Sequence, residues 1–491
     1  MDIEQQQKAN SNRKRKRKEK HEEAESDDTS SAGINKLPDD VIVVILSLLS
    51  RNEAARTSVL SHRWRYLWKV CSSGTLELDD KGVFSILGSE ETRTLRRKFT
   101  DRASRVLKLH QGLFLDGLVI RFCNVRTRRA GRPPGYIDDW IYFAMQKKVK
   151  IFELDFSRPG GGHSCYQFPN VDKLLSRDTS FGFSSLRSLR LVDVDIEETV
   201  VHYFLAKCPY LEQLSIRASK TTHYIRVVDQ LVNLKVLEIS YCDVIRSIEV
   251  SAVNLVSCTY KGQKIDLLFK ETPNLSELTL AGACAWSFIY EPHKHSSYSV
   301  QLVKLTLHIP SPAYHRPDMF RRMVPRDFPL LCSLKHLELD VWSAADRSSY
   351  VITSLIMGAP LLNELKIKIR HMKYQLNKGD NLEVSPEQEQ YRHKNLKAVK
   401  MMEYVGHPSD DTFVLQLLKI APSLETLTID TESKYYDWVK CIRAQTCCKC
   451  GKKIECICTS QGIGARTRIE AKKRAELMKF RFPPNTVVII T

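Results

Sequence analysis

One spacing of apolar residues dominates the chain from position 149 onward. The spacing is apolar-x-x-apolar-x-apolar, and it recurs eleven times between Val149 and Ile429. Its last two positions alternate as they do on a β-strand that turns one side toward a core. Proline disfavours a helical conformation in the residue before it, so a proline just ahead of a unit ends the preceding helix. Such a proline stands two residues before the first apolar position in four units, at Pro209, Pro273, Pro360 and Pro422.

The length of the repeat indicates the architecture. Successive units begin 20 to 37 residues apart, and the central ones match the roughly 20–29 residues of a leucine-rich repeat. A single unit cannot bury its own apolar side, so the units must stack. Coincidence in a leucine-rich chain is the alternative, but it would not place proline at the same position of four units. The pattern therefore predicts an α/β solenoid, with parallel strands on one face and helices or irregular segments on the other.

A shorter pattern near the N-terminus predicts three small helices. The first begins at Leu37 and Pro38, and its residues 41–49 are almost wholly apolar. Asn52 and Ser61 are suited to cap a second helix through residue 60 and a third helix over 61–70. The third helix carries Trp64 and, three and four residues later, two further apolar residues on the same face. Because the first helix is apolar all round, we expect part of its surface to be covered only when a partner binds.

The segment with these three helices resembles the F-box. It has the Leu-Pro start, the Ile-Leu-Ser-Leu-Leu run at 45–49 and the Val-Leu-Ser-His-Arg-Trp run at 59–64. The resemblance implies docking onto a Skp-type adaptor, which bridges the chain to a cullin. The residues that it assigns as adaptor-facing candidates are Leu37, Pro38, Ile42, Ile45, Leu46, Leu49, Val59, Leu60, Trp64 and Leu67. The alternative is that these residues pack the F-box's own core, and the sequence does not divide the two roles.

The order of an F-box followed by irregular leucine-rich repeats is similar to a large plant family. Further matches lie at residues 204–216 and 393–430, and the second resembles the FBD module that ends many such chains, with Gly406, Asp410 and Asp411 in the expected loop. The resemblance implies a non-catalytic subunit of an SCF-type ubiquitin ligase, without a cofactor. Its leucine-rich-repeat and FBD region would recruit an unknown protein target for ubiquitination and degradation.

These patterns together divide the chain into six parts. We predict an arm at 1–33, the F-box at 34–75, a linker or N-terminal cap of the solenoid at 76–148, the solenoid at 149–392, the FBD-like module with the last repeats at 393–432, and a basic, cysteine-containing tail at 433–491.

Charge adds a second hypothesis about function. The formal net charge is +18, and much of it lies in the tail. The arm carries a run of six basic residues that suits the acidic grooves of nuclear import receptors, namely Arg13, Lys14, Arg15, Lys16, Arg17 and Lys18. A solvated charge run is the alternative. We expect the protein in the nucleus, the cytoplasm or both. A nuclear protein that binds nucleic acid or acts as a scaffold through the basic tail is the alternative function.

The sequence contains little that points to catalysis or to a metal. Gly160, Gly161 and Gly162 lack the lysine of a phosphate-binding loop. In the tail, Cys447, Cys450, Cys456 and Cys458 could supply four thiolates to zinc, but the middle pair is too close for a usual zinc finger. We therefore predict free thiols there and no metal. No stretch approaches the roughly 18–20 apolar residues of a membrane span, so we expect no membrane partner.

Overall fold

The structure is a computed structural model. The structure describes residues 34–47, 49, 53, 56–70, 74–79, 89–110, 115–122, 135–158, 166–176, 182–227, 232–310, 328–342, 346–370, 391–406, 408–432 and 468–491. Most strands belong to one 14-stranded sheet, in which every neighbouring pair is parallel. The order of its strands follows the chain from one end of the sheet to the other, as a solenoid of stacked repeats requires.

Within the described residues, the main sheet contains fourteen strands. They are β1 (Thr75–Asp79), β2 (Gly117–Arg121), β3 (Ile151–Asp155), β5 (Ser188–Val192), β7 (Gln213–Arg217), β9 (Val236–Ser240), β11 (Ser257–Gly262), β13 (Glu277–Gly282), β14 (Lys304–Ile309), β15 (His336–Trp342), β16 (Glu364–Arg370), β17 (Ala398–Met402), β18 (Thr426–Ile429) and β19 (Val487–Ile490). A second parallel sheet joins β8 (Tyr224–Val227), β10 (Ser247–Val250) and β12 (Asp266–Phe269), and a third joins β4 (Tyr166–Gln167) and β6 (Val194–Asp195).

Helices connect many of these strands. In the part of the chain that the structure describes, the α-helices are α1 (Asp39–Ser47), α2 (His62–Val70), α3 (Ser89–Leu109), α4 (Gly135–Gln146), α5 (Val171–Ser176), α6 (Glu198–Lys207), α7 (Ala283–Tyr290), α8 (Ser296–Ser299), α9 (Asp346–Met357), α10 (Pro408–Ile420) and α11 (Arg468–Lys479). Short 3-10 helices occupy Ile34–Lys36, Thr57–Val59 and Pro292–Lys294.

The predicted repeat is confirmed in its register. The middle apolar residue of each unit lies beside the middle residue of the next, as in the pairs Leu214 with Leu237 and Leu278 with Leu305. All eleven units from Val149 to Ile429 bury their three apolar positions. These side chains form one continuous hydrophobic core that runs from the first strand of the sheet to the last. The predicted α/β solenoid with parallel strands on one face is therefore confirmed.

A row of asparagine side chains holds neighbouring units together. The Asn254 amide donates to the carbonyl of Val232 at 2.7 Å, and the Asn274 amide donates to that of Val253 at 2.9 Å. Asn233 and Asn395 make the same kind of bond one unit back, at 2.9 Å and 2.8 Å. Each asparagine directly precedes the first apolar residue of its unit. These bonds pair backbone carbonyls that the turns would otherwise leave without a protein donor.

The main sheet extends past the predicted solenoid at both ends. β1 and β2 lie within the segment predicted as a linker or cap, and β2 pairs in register with β3. In the segment predicted as a tail, α11 packs near β19, and β19 pairs with β18. Residues 393–432, predicted as the FBD-like module, form β17, α10 and β18. A solenoid end needs additional strands and helices because its last repeat would otherwise expose the core.

The chain turns sharply at the carboxyl ends of several strands. Four residues that follow strands adopt left-handed backbone conformations, with φ between 53° and 59°. They are Asp193, Ala218, Tyr241 and Glu403. The backbone N–H of Ala218 donates to the carbonyl of Ser240 in the next strand, at 2.8 Å. Because left-handed geometry is unfavourable for residues with a side chain, these turns are held by the stacking of the strands rather than by local preference.

The described residues of the F-box are helical in all three regions predicted as helices. α1 and α2 form as expected, and the backbone N–H of Trp64 donates to the Ser61 hydroxyl at 3.4 Å, so the predicted cap of the third helix is present. In the region predicted as a helix over 52–60, the described residues Glu53 and Arg56 are α-helical, and the short 3-10 helix Thr57–Val59 follows them. Thr57 and Ser58 favour turns over helix interiors because their hydroxyls compete for backbone groups.

Candidate interaction surfaces

The F-box has a small core of its own. It consists of Ile42, Leu46, Trp64 and Leu67, which are nearly or completely inaccessible to solvent. Ile42 and Leu46 are one turn apart on α1, and Trp64 and Leu67 are three residues apart on α2, so the two helices meet along these faces. Four of the ten adaptor-facing candidates thus lie inside the isolated F-box, and in this conformation they hold its helices together.

The other six candidates have more accessible positions. Leu37 and Ile45 are half-buried against the F-box core, whereas Pro38, Leu49, Val59 and Leu60 are exposed. Val59 is the most open of them, with 85% of its surface exposed. Sequence reasoning missed further exposed apolar residues of this domain, which are Ile34, Val41, Val44 and Tyr66. The signal that could have found Val41 and Val44 was the fully apolar first helix, since α2 covers only one of its sides.

An ion pair fixes the start of the F-box against its last helix. The Arg63 guanidinium contacts the Asp39 carboxylate at 2.5 Å. Asp39 and Asp40 occupy the first turn of α1, where carboxylates are stabilised by the helix dipole. Both partners are partly solvent-exposed, so the pair mainly sets orientation and contributes little stability.

The outward face of the main sheet carries ion pairs at its N-terminal end. Arg121 lies between Glu153 at 2.9 Å, Asp79 at 3.6 Å and Glu77 at 3.7 Å. The hydrogen bond to Glu153 and the surrounding carboxylates raise the pKa of Arg121. Arg190 continues the network, with its guanidinium 4.0 Å from Glu153. In this region, basic and acidic side chains from four neighbouring strands form ion pairs with one another.

A second set of ion pairs covers the outward face from β14 to β18. Arg370 contacts Asp340 through two bonds of 2.6 Å and 2.5 Å, and His308 lies 3.4 Å from the same carboxylate. Burial acts to raise the pKa of Asp340, but the hydrogen bonds from His308 and Arg370 outweigh it and lower the pKa to about 2. Lys368 pairs with Glu403. The outward face between the two sets, on β11 and β13, carries mainly hydroxyl and small side chains.

A buried polar cluster behind the sheet has the composition of a hydrolytic site. Ser287 lies 3.4 Å from the Nε2 atom of His295, whose Nδ1 atom is 2.5 Å from the Tyr298 hydroxyl. The Ser287 hydroxyl donates to Glu291 at 2.9 Å. Ser287, His295 and Tyr298 are buried, and a nucleophile needs access to its substrate. The cluster therefore satisfies its own polar groups between α7 and α8.

Several sequence candidates lie outside the described residues. They are the basic run Arg13, Lys14, Arg15, Lys16, Arg17 and Lys18, the glycines 160–162, and the cysteines Cys447, Cys450, Cys456 and Cys458. Within the described ranges, no group of three or more His, Cys, Asp or Glu side chains could hold a metal ion. Among the helices that the structure describes, none is long and apolar enough to cross a bilayer.

Two known families match the sequence. The family described as "At1g61320/AtMIF1, LRR domain" matches residues 175–472, and the F-box domain matches residues 34–75. The first of these matches covers more than half of the chain, including most of the strands of the main sheet. The second covers α1, α2 and the exposed apolar residues around them.

Similar proteins from Arabidopsis thaliana combine the same parts. F-box/FBD/LRR-repeat protein At1g13570 is 25% identical over 420 residues, which are 81% of this chain and 91% of that protein. Putative F-box/LRR-repeat protein At3g58880 is 29% identical over 225 residues, or 42% of this chain and 46% of that protein. Putative F-box protein At3g58860 is 29% identical over 246 residues, or 46% and 50%. The chain thus spans nearly all of the first relative and about half of the other two.

Proposed function

Because this chain belongs to the "At1g61320/AtMIF1, LRR domain" family and carries an F-box, we propose that it is the target-binding subunit of an SCF-type ubiquitin ligase. The F-box binds a Skp-type adaptor and, through it, a cullin. The solenoid and FBD-like region hold a protein target near the ubiquitin-charged enzyme. This proximity raises the effective concentration of target lysines without a catalytic group on this chain.

The observation that supports adaptor binding is the apolar surface of the F-box. Val44, Val59 and Leu60 are exposed above a fully buried core. A small domain rarely leaves several large aliphatic side chains open unless a partner covers them. Interfaces are stabilised by such central apolar residues, surrounded by polar ones. We propose that Leu37, Pro38, Ile45, Leu49, Val59 and Leu60 form the adaptor contact, together with Val41 and Val44.

The test is adaptor binding by the full chain with a changed F-box surface. We expect the double variant Val59→Glu/Leu60→Glu to lose at least tenfold in affinity, because two carboxylates would be buried without partners in the complex. Isothermal titration with a purified Skp-type adaptor measures this loss. Both positions are exposed, so the variant should unfold at the same temperature as the original protein.

A matched control makes the same change in charge at exposed positions outside the F-box. The variant Tyr210→Glu/Leu361→Glu alters two exposed residues of the solenoid, and we expect it to bind the adaptor normally. If the original chain does not bind any Skp-type adaptor while its F-box is folded, the proposed function is wrong. The proposal also includes nuclear import directed by the basic run at 13–18, which lies outside the described residues.

A further inference from the structure

Two basic side chains stand near the middle of the outward face without a carboxylate partner. Arg217 on β7 and Lys261 on β11 both pair in register with Ser240, which lies between them on β9. Adjacent strands are about 4.8 Å apart, so the two Cα atoms are separated by roughly 10 Å. Within the described part of the chain, neither Arg217 nor Lys261 forms an ion pair. This distinguishes them from Arg121, which is surrounded by carboxylates.

Tyr241 projects from the turn between these two cations. Its φ of 56° is left-handed, which is rare for so large a residue. Its backbone N–H donates to the carbonyl of Lys261 at 2.6 Å, and the Arg217 guanidinium lies 5.1 Å from the centre of its ring. Half of the tyrosine surface is still exposed, at 50%. We call Arg217, Ser240, Tyr241 and Lys261 the Tyr241 rim.

The turn itself does not need a tyrosine. Ala218 makes the same left-handed turn one unit earlier, with the same kind of hydrogen bond to the next strand. Glycine would adopt this conformation without strain. A residue with a side chain is disfavoured at this position, because the left-handed conformation brings its Cβ atom close to the following carbonyl oxygen. Strain of this kind concentrates at functional positions, because the side chain is retained for what it contacts. Tyrosine and arginine are also the residue types that contribute most to protein interfaces.

Two threonine side chains form a polar floor beside the rim. Thr259 lies on β11 and Thr279 on β13, side by side in register. Within the described residues, their hydroxyls form no hydrogen bond, so both can donate to and accept from a peptide backbone. Short hydroxyl side chains lose little conformational entropy when they are covered. The floor therefore suits an extended chain that crosses the strands.

We propose that the Tyr241 rim and this threonine floor bind an extended segment of a target protein that carries one or two carboxylates. Arg217 and Lys261 pair with the carboxylates, which an extended chain places on one face about 7 Å apart at every second residue. The tyrosine ring packs against the backbone between them. The identification of the occupant as a target rests on the proposed function, whereas its chemistry rests on the unpaired cations.

Charge around the rim distinguishes a peptide from a nucleic acid. Glu238 and Glu277 lie on the same outward face, on β9 and β13. A short acidic segment can place its carboxylates on the two cations and avoid these glutamates. A polynucleotide carries a phosphate at every step and would meet both of them. One face of the Tyr241 ring is also covered by Arg217, which reduces the surface available for base stacking.

The experiment measures binding of defined fluorescent probes to the full chain by anisotropy. The first probe is a ten-residue serine–glycine peptide with two glutamates separated by one residue, so that both lie on one face of an extended chain, and the second carries glutamines instead. The third is a ten-nucleotide single-stranded RNA. We expect the glutamate peptide to bind at least tenfold more tightly than the glutamine peptide. We expect the affinity for the RNA to be the same whether or not the rim carries its two cations. No adaptor is present, so this result is independent of the test of the F-box.

Two variants test the assignment to the rim. The variant Arg217→Gln/Lys261→Gln should bind the glutamate peptide at least tenfold more weakly than the original protein. The matched control Lys207→Gln/Arg246→Gln removes the same charge from exposed positions on α6 and before β10, and should change binding less than twofold. Tyr241→Gly should weaken binding severalfold while leaving the melting temperature unchanged or higher, because glycine relieves the left-handed strain.

Three results would overturn the proposal. The first is equal binding of the glutamate and glutamine peptides. The second is an equal loss for the rim variant and its control, which would mean that binding follows the overall charge of +18. The third is RNA binding that is tighter than peptide binding and lost in Arg217→Gln/Lys261→Gln, which would assign the rim to nucleic acid. A failure of adaptor binding alone would leave the rim unaffected.

Discussion

His295 is buried as a neutral imidazole between α7 and α8, and its protonation should limit the stability of the protein in acid. Burial lowers its pKa to about 4, although the charge of Glu291 acts to raise it. In the unfolded chain the same group has its ordinary pKa of about 6.5. The unfolded state therefore binds a proton between pH 6.5 and 4 that the folded state does not. The contribution of neutral His295 to the free energy of unfolding is therefore complete above pH 6.5 and is lost as the pH falls from 6.5 to 4.

We expect the free energy of unfolding to fall by roughly 2 kcal/mol between pH 7 and pH 5 on account of this residue. The variant His295→Gln should show a smaller decline, because glutamine has no proton to gain. Urea unfolding at the two pH values measures both declines. Glu291 does not interfere, since its pKa is lowered to about 2 from an ordinary value near 4.5, so its effect appears at lower pH. Equal declines in the two proteins would contradict the prediction.

At the scale of the element, the strand ends set the shape of the solenoid. β13 ends at Gly282, whose φ is +80°, directly before α7 begins. A Cβ atom at this position would lie 2.4 Å from the carbonyl oxygen of Gly262 at the end of β11. The two glycines allow neighbouring strands to remain in contact where the chain leaves the sheet. The close approach and the backbone conformation both require glycine at this point.

We expect Gly282→Ala to destabilise the protein by about 2 kcal/mol or more, through both steric overlap and backbone strain. Thermal unfolding followed by circular dichroism gives the change. Gly135→Ala is the matched control, because no atom lies within 4 Å of its added Cβ, and alanine favours the helix that begins there. A control that loses as much stability as Gly282→Ala would show that the contact with Gly262 is not the cause.

At the scale of the whole molecule, one core joins all the repeats. Leu278 lies near the middle of the sheet, with Cys258 on one side and Leu305 on the other. Because the core is continuous, a cavity at this position affects the repeats on both sides. We expect Leu278→Ala to cost about 3 kcal/mol and to move the urea unfolding curve as a whole to lower concentration. Thr279→Ala, on the outward face of the same strand, should stay within about 0.5 kcal/mol.

The repeats could be predicted from sequence because each unit must bury the same three positions. The ends were harder to predict. Leu115, Leu118 and Ile120 follow the same spacing, and the last two lie on β2. The unit that contains β1, however, has Ser73 at its first position, where the pattern predicts an apolar residue. A terminal strand has a neighbour on one side only, so it tolerates a weaker pattern.

The two candidate surfaces were predictable to different degrees. The F-box could be recognised, but its ten residues could not be divided into core and surface, because α1 is apolar all round and only the docking of α2 selects its buried side. The Tyr241 rim gave no signal in the sequence. Its left-handed backbone depends on a hydrogen bond to Lys261 in the next repeat, and such a bond follows from stacking rather than from local residue preference.

The row of asparagines has a consequence for how such proteins diverge. It fixes the side of the solenoid where strands begin, since each amide must reach the carbonyl one repeat back. The segments that follow the strands are free to lengthen: the starts of β16 and β17 are 34 positions apart, whereas those of β11 and β13 are 20 positions apart. Insertions and substitutions can therefore accumulate in the segments that follow the strands, whereas the side where the strands begin tolerates fewer changes. Relatives that share this scaffold can acquire different targets without refolding.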